Sequence, residues 1–218
     1  MATQVSSIQR LLSLPALFSG KDLTIRFQWT SKAASQYLYL WKKRGLVQPL
    51  GGHSDIFANT LVQPQPDWEA ALRLAMPSAV VVGAEALRRG GWTTQVPSQP
   101  EVAVPAGQPR YSVHRFDVKP RPASWFEASR PGIRDHCLQP AWALADMLAR
   151  AGWGDAGLQP DDLDWGRVGK RDQSQFAAAC RAYGLKPSEL TDVEALLCCA
   201  PRSERPAHTS RLVRPAAR

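Results

Sequence analysis

The stretch that decides the fold runs from Thr30 to Gly45 and reads TSKAASQYLYLWKKRG. It predicts one helix with both ends marked, because Thr30 can cap the first turn and Gly45 can take the left-handed position just past the last one. Four residues recur at the spacing that forms one buried stripe: Ala34, Tyr37, Leu38 and Trp41. The opposite face has no acidic residue and carries Lys32, Ser35, Gln36, Tyr39 and Lys43.

This face is small and polar at its N-terminal end and basic at its C-terminal end, where Lys42, Lys43 and Arg44 follow one another. A helix that enters the major groove of DNA needs that layout, with short polar side chains where bases are close and cations where phosphates are close. A surface helix with a basic face has the same pattern, and cations at a helix C-terminus are favourable by themselves. The helix alone leaves both interpretations open.

The flanking sequence favours DNA. Two short helices are predicted before this one, over Ile8 to Leu14 and Gly20 to Phe27, the second capped by Ser19. Two β-type runs follow it, Leu46 to Leu50 and Ile56 to Leu61, with Gly51-Gly52 between them, and they predict a hairpin whose Pro49 lies on an edge strand. Three helices followed by a hairpin indicate a winged helix-turn-helix over residues 1–62.

The hairpin tip, Gly51-Gly52-His53-Ser54, has two interpretations. Glycines let a backbone approach a phosphate or a minor-groove wall, and they also form simple tight turns.

The net charge of +8 is unevenly distributed along the chain. Residues 1–62 contribute +5, from seven Lys and Arg against Asp22 and Asp55, and residues 201–218 contribute +4, from five Arg against Glu204. Residues 63–200 are nearly balanced at −1. This pattern indicates a polyanion-binding module joined to a neutral domain with another task.

The polar, proline-rich segment Gln63-Pro64-Gln65-Pro66 is the predicted boundary between these parts. After it, residues 67–200 contain segments with the apolar periodicity of helices and segments with that of strands. Helices are predicted over 68–75, 84–89, 141–151 and 175–183, and strands over 79–82, 92–96, 102–104 and 111–118. The prediction is an α+β chain, in which the winged helix precedes a small sheet flanked by helices. Residues 201–218 are expected to form a basic, disordered tail.

Composition narrows the other classes of function. No apolar run approaches the roughly 20 residues that span a bilayer, and Pro15 interrupts the short apolar run near the N-terminus, so we expect a cytoplasmic protein without membrane contact. The four cysteines (Cys137, Cys180, Cys198 and Cys199) match no zinc spacing, and we expect reduced thiols. We expect neither a metal nor a cofactor.

Three stretches together resemble the AbiEi-type antitoxins of type IV toxin–antitoxin (abortive infection) operons. The first is LPALFSGKDLTIRF, residues 14–27, continued by KAASQYLYLWKKRGLVQPL, residues 32–50. The second, AMPSAVVVGAEALRRGGWTTQVP at residues 75–97, resembles the strand–glycine–helix unit of that family, and the third is LQPAWALADML at residues 138–148. The order of the three carries the similarity, which covers about two thirds of the chain and ends near residue 153.

The resemblance implies a bacterial repressor that binds an inverted repeat in the double-stranded DNA upstream of its own operon. Because specific sites usually contain two half-sites, we expect either a dimer or self-association of monomers on the DNA. It also implies that the C-terminal domain counteracts a nucleotidyltransferase-like toxin without needing a stable complex with it. Carried over position by position, the DNA-reading residues are Ser31, Lys32, Ser35, Gln36, Tyr39, Lys43 and His53.

The side-chain types divide these candidates between bases and phosphates. Gln36 and Lys32 are the best candidates for base edges, because amide and ammonium groups can serve adenine and guanine respectively. The best candidates for phosphates are Arg26, Lys42, Lys43 and Arg44.

Two rival classes stay open. Asp162-Leu163-Asp164 resembles the paired acids of a nucleotidyltransferase metal site, but no Gly-Ser helix start lies upstream at a suitable distance, so we predict no catalytic residue there. Glu101 and Asp117 could act as nuclease acids, yet no lysine stands two residues after Glu101. The other rival is a winged-helix regulator without a toxin partner, whose middle domain binds a ligand or a protein.

Overall fold

The computed structural model describes residues 6–107, 113, 115–154 and 158–186. The first part of the chain contains α1 Ser7–Leu12, β1 Leu17–Ser19, α2 Gly20–Phe27, α3 Ser31–Lys43, β2 Val47–Pro49 and β3 Ile56–Asn59. All three predicted helices are present, and the side chains of Ser6, Ser19 and Thr30 accept backbone N–H groups of their first turns. Gly45 has the left-handed φ of +70° that ends α3.

A three-stranded antiparallel sheet in the order β1-β3-β2 stands beside these helices. The β2–β3 hairpin was predicted, and Pro49 lies on the edge strand as expected, opposite Phe57. Strand β1 was not predicted. It pairs with β3 across about 40 residues of chain, with Leu17 opposite Ala58 and Ser19 opposite Ile56.

The two faces of this sheet belong to different hydrophobic clusters, because neighbouring residues of a strand point to opposite sides. Phe18, Val47 and Phe57 pack with Leu14 and with the helical residues Leu11, Leu23, Ala34, Leu38 and Trp41. Leu17, Leu50 and Ile56 pack on the other side, against α4 and the second sheet.

The second part of the chain contains α4 Trp68–Ala75, β4 Val80–Val81, α5 Gly83–Arg89, β5 Glu101–Pro105, β6 Asp117–Arg121, α6 Ala123–Ser129, β7 Ile133–Arg134, β8 Cys137–Leu138, α7 Pro140–Arg150 and α8 Lys170–Tyr183. Its five strands form a mixed sheet in the order β6-β5-β4-β8-β7. Helix α4 begins and ends as predicted, with Asp67 as its cap.

Two strand predictions were wrong or displaced. Residues 92–96 do not form a strand. The carbonyl of Trp92 instead accepts the N–H of the distant Asp164 at 2.7 Å. The strand predicted over 111–118 begins only at Asp117 and continues through Pro120 to Arg121. Tyr111, Ser112 and His114 lie outside the described residues, as does the predicted tail 201–218.

The second sheet also has two covered faces. Val80, Val82 and Ala103 face a core formed mainly with α5, α7 and α8. Val81, Val102 and Val104 face the cluster that contains α4 and Leu50, so this cluster lies between the two sheets. The chain is therefore an α+β protein, as predicted. No helix among the residues described is both long and apolar enough to cross a membrane.

Candidate nucleic-acid interface

Helix α3 has one buried and one exposed side. Ala34, Leu38 and Trp41 are buried and Tyr37 is half-buried, which confirms the predicted stripe. All ten predicted DNA-contacting side chains are exposed: Arg26, Ser31, Lys32, Ser35, Gln36, Tyr39, Lys42, Lys43, Arg44 and His53. Seven of them lie on α3, and Arg44 caps its end.

An aromatic cluster anchors the back of α3. The Trp41 indole is 1% exposed, and its Nε1 donates a hydrogen bond to Ser7 Oγ of α1 at 2.8 Å. Trp29, just before the helix, stacks on Tyr37 with ring centroids 4.2 Å apart and planes 13° apart. The Arg10 guanidinium lies 5.3 Å from the Trp29 ring centroid. These contacts join α3 to α1, so the exposed face is presented by a supported helix.

The central part of the exposed face forms a shallow, open groove of about 690 Å³, lined by Lys32, Ser35, Gln36, Tyr39 and Leu40. Four of the five predicted base-reading residues therefore lie together. Sequence reasoning missed Leu40, whose side chain is 45% exposed on an otherwise polar face. An apolar contact of this kind can face a thymine methyl group.

A second, smaller cavity of about 240 Å³ lies between α2, α3 and the loop of the hairpin. Ser31 and Ser35 line it from α3, Gly20 and Lys21 from the start of α2, and Asp55 from the hairpin. Sequence reasoning missed Asp55 as an interface residue. The sequence shows the charge of Asp55, but it does not show that Asp55 contacts α2, because the two residues that form this contact are 34 positions apart.

The hairpin tip is a run of three residues with positive φ: Gly51 at 121°, Gly52 at 52° and His53 at 64°. The Ser54 N–H closes the turn on the carbonyl of Gly51 at 3.0 Å. His53 is exposed at this tip, while Ser54 is buried. The tip therefore presents a bare backbone and one imidazole.

The exposed cations of this candidate interface have no carboxylate partner among the residues that the structure describes. Within the described part of the chain, no ion pair involves Arg26, Lys32, Lys42, Lys43 or Arg44. Ion pairs are found instead in the second part of the fold, from Arg73–Glu69 to Arg167–Asp164. Unpaired, exposed cations keep their charge available for a polyanion.

The acids that suggested an enzyme have local partners. Asp162 Oδ2 accepts the N–H of Gln159 at 2.7 Å, and Asp164 pairs with Arg167 at 3.1 Å. Glu101 and Asp117 are register partners on β5 and β6, but Glu101 Oε1 pairs with Arg121 at 2.7 Å and with Arg150 at 3.2 Å. Among the described residues, no three His, Cys, Asp or Glu side chains are grouped to hold a metal ion.

Glu101 and Asp117 border a cleft of about 380 Å³ that is also lined by Lys119, Met147 and Arg150. Its charged wall is part of a network. The buried Asp146 accepts Trp125 Nε1 at 2.7 Å and Arg150 Nε at 3.0 Å, and Arg150 continues the network to Glu101. Opposite charges on this wall are thus largely satisfied by one another.

Comparisons with known proteins add little. No protein-family model matches the chain, and no curated protein matches it. Among solved structures, the chain is similar to the crystal structure of the RV2827C protein from Mycobacterium tuberculosis, with a TM-score of 0.45 and 15% identity. The match covers 88% of this chain and 79% of that chain. A similarity this distant says nothing about function.

Proposed function

We propose that this protein is a DNA-binding transcriptional regulator whose first 62 residues form a winged helix-turn-helix, with α3 as the recognition helix. The observation that carries the proposal is the exposed face of α3, which runs the length of a 13-residue helix without an acidic side chain or an ion-paired cation. Such a helix is roughly 20 Å long and fits the major groove.

The distribution of side chains along α3 assigns the contacts. Ser31, Lys32, Ser35, Gln36 and Tyr39 would face base edges. Lys42, Lys43 and Arg44 would face phosphates, with Arg26 from α2 and the hairpin tip at His53 on the flanking backbone. Specific operators usually contain two half-sites, so two copies of the chain would bind one inverted repeat.

We further propose that the regulator is the autorepressor and antitoxin of a type IV toxin–antitoxin operon, on the strength of its resemblance to the AbiEi-type antitoxins. Residues 1–62 would bind the DNA upstream of the operon, and residues 67–200 would serve the antitoxin function against a nucleotidyltransferase-like toxin. This function takes place in the bacterial cytoplasm and needs no cofactor.

The DNA proposal is tested by fluorescence anisotropy with DNA of about 200 base pairs from upstream of the gene, against scrambled DNA, across a salt series. A specific repressor should prefer its own DNA by about 10³ or more. Gln36→Ala should cost about 1–3 kcal/mol on that DNA alone, because it removes one base contact. The matched control is Gln175→Ala on α8, which should change neither affinity. Equal affinity of the unsubstituted protein for both DNAs contradicts the proposal.

The antitoxin role is tested separately, by co-expressing the protein with a nucleotidyltransferase encoded next to its gene. Restored growth supports the role, and growth arrest despite normal protein levels contradicts it.

A second candidate is a winged-helix regulator without a toxin partner. The 380 Å³ cleft between β5, β6 and α7 favours it, because that volume lies within the range of small-molecule sites. The absence of a neighbouring toxin gene, together with ligand-dependent DNA affinity, would favour this candidate over the antitoxin.

A further inference from the structure

Asp55 joins the hairpin to the first turn of α2. Its carbonyl accepts the N–H of Gly20 at 3.1 Å, and its carboxylate Oδ2 accepts the N–H of Lys21 at 3.2 Å. The carboxylate lies so close that a Cβ atom on Gly20 would overlap Oδ1. One backbone hydrogen bond therefore holds the main chain of Asp55 and a second holds its carboxylate, which fits there because Gly20 has no side chain.

That place is beside the proposed base-reading residues. Asp55 lines the 240 Å³ cavity together with Ser31 and Ser35 of α3. Ser35 also borders the larger groove with Gln36 and Tyr39. A carboxylate at this position faces any DNA that the N-terminal half of α3 approaches.

The charge of Asp55 is unusual for its surroundings. Residues 1–62 contain two acids, Asp22 and Asp55. Asp22 is engaged within the cap of α2, where its Oδ2 accepts the N–H of Ser19 at 2.6 Å, and it does not border the cavity. Among the residues that line the cavity, Asp55 carries the one negative charge.

We propose that Asp55 is a specificity-determining residue that disfavours non-specific DNA binding, an inference that rests on the proposed DNA-binding function. Non-specific complexes depend on phosphate contacts alone, and they can bring a phosphate to the cavity. The carboxylate repels a phosphate there. A specific complex keeps its register through base contacts of α3, so it loses less from this repulsion.

The test compares Asp55→Asn with the unsubstituted protein on upstream DNA and on scrambled DNA. Asparagine keeps an acceptor for the Lys21 N–H and removes only the charge. Affinity for scrambled DNA should rise about fivefold at low salt, which corresponds to removing one unit of repulsion at contact distance in water, while affinity for upstream DNA rises less than about twofold. The specificity ratio falls, and the difference shrinks as salt screens it.

One further variant repeats the removal of the charge at Asp55, and another serves as a control. Asp55→Ser also removes the charge while leaving a hydroxyl acceptor, so it should reproduce the effect if Asp55→Asn folds poorly. Asp22→Asn makes the same charge change in the first turn of α2, outside the cavity, and it should leave the specificity ratio unchanged.

Each outcome decides between explanations. No change, a fall in affinity, equal rises on both DNAs, or an equal effect of Asp22→Asn overturns the role of Asp55 while the regulator function stands. An unsubstituted protein that does not prefer its upstream DNA overturns the proposed function and this inference with it.

Discussion

Replacing Asn59 with alanine should destabilise the N-terminal part of the fold without changing the exposed face of α3. Asn59 is fully buried at the end of β3. Its Nδ2 donates to the carbonyl of Leu11 at 2.8 Å, and its Oδ1 accepts the N–H of Leu61 at 3.2 Å. One amide group therefore ties α1 to the hairpin across 48 positions of sequence.

The expected cost follows from what each partner loses. The Leu11 carbonyl keeps a second donor, the N–H of Leu14 at 3.0 Å, so it loses one hydrogen bond and is not left bare. The N–H of Leu61 belongs to a residue that is 38% exposed, and water can reach it. Two lost hydrogen bonds at about 1 kcal/mol each, a weak third one from Nδ2 to the Leu14 carbonyl at 3.5 Å and a small cavity give about 2–3 kcal/mol. This is a large share of a typical unfolding free energy of about 5–15 kcal/mol.

The assay is urea denaturation combined with hydrogen exchange measured by mass spectrometry. The eight tryptophans are distributed along the chain, so fluorescence alone cannot localise the loss, whereas exchange in peptides from α1 and the hairpin can. The control is Thr60→Ala. It removes one exposed hydrogen bond, from Thr60 Oγ1 to the Gly45 carbonyl at 2.9 Å, and should cost less than about 1 kcal/mol. A loss below about 1 kcal/mol for Asn59→Ala, or a loss equal to that of Thr60→Ala, would refute the reasoning.

Three other predictions concern separate regions. Lys43→Ala should weaken binding to all DNA sequences alike and reduce the log–log salt slope by about one, measured by anisotropy. Gly132→Ala should lower the unfolding free energy by about 1–3 kcal/mol in thermal or urea denaturation, because its Cβ would overlap the Trp142 indole. Hydrogen bonds from Arg88, and then from Arg89, hold the pKa of Glu85 below its usual range despite burial. The stability that Glu85 provides is therefore present above pH 4.5 and lost as the pH falls through the lowered pKa. Glu85→Gln should cost about 1–2 kcal/mol at pH 7 and approach the unsubstituted protein in acid.

The Lys43 and Gly132 predictions each have a matched control variant, and the Glu85 prediction has an outcome that would contradict it. Lys170→Ala, on α8, should leave the log–log salt slope of DNA binding unchanged. If it reduces that slope as much as Lys43→Ala does, Lys43 acts only through the net charge of the protein and does not contact a phosphate. Gly169→Ala adds a Cβ at an ordinary 3.6 Å contact with Asp172 and should change stability little. A Glu85→Gln difference that persists undiminished in acid would contradict the ion-pair explanation.

Local signals in the sequence were enough to predict most helices. Ser19, Thr30 and Asp67 each cap the helix that follows, because a side-chain oxygen three residues before an N–H needs no distant partner. Gly184 ends α8 in the left-handed region as predicted, at φ 72°. Helix α8 nevertheless begins earlier than predicted, at Lys170, because Asp172 lies inside the first turn and accepts the Gly169 N–H at 2.9 Å.

Features that depend on distant partners could not be predicted in this way. Strand β1 has three residues and exists because β3 lies beside it. The run at Trp92 has a strand-like composition, but its carbonyl is bound by Asp164, about 70 residues away. The surroundings of the exposed face of α3 also depend on residues that are distant in sequence. Helical periodicity predicted the exposed face of α3, whereas the position of Asp55 beside that face follows only from its contact with α2.

Leu50 has a consequence for how this protein can evolve. Its side chain is 2% exposed and lies in the cluster with Ala71, Leu72 and Met76, whereas its neighbours on the other face of the hairpin pack on α1 to α3. A gene fusion that transferred residues 1–62 to another partner would uncover this leucine, and the free fragment would be prone to aggregate through it. Helix α3 and the sheet that follows are thus inherited most readily together, and a recombined descendant must first change residue 50 or supply a new helix to cover it.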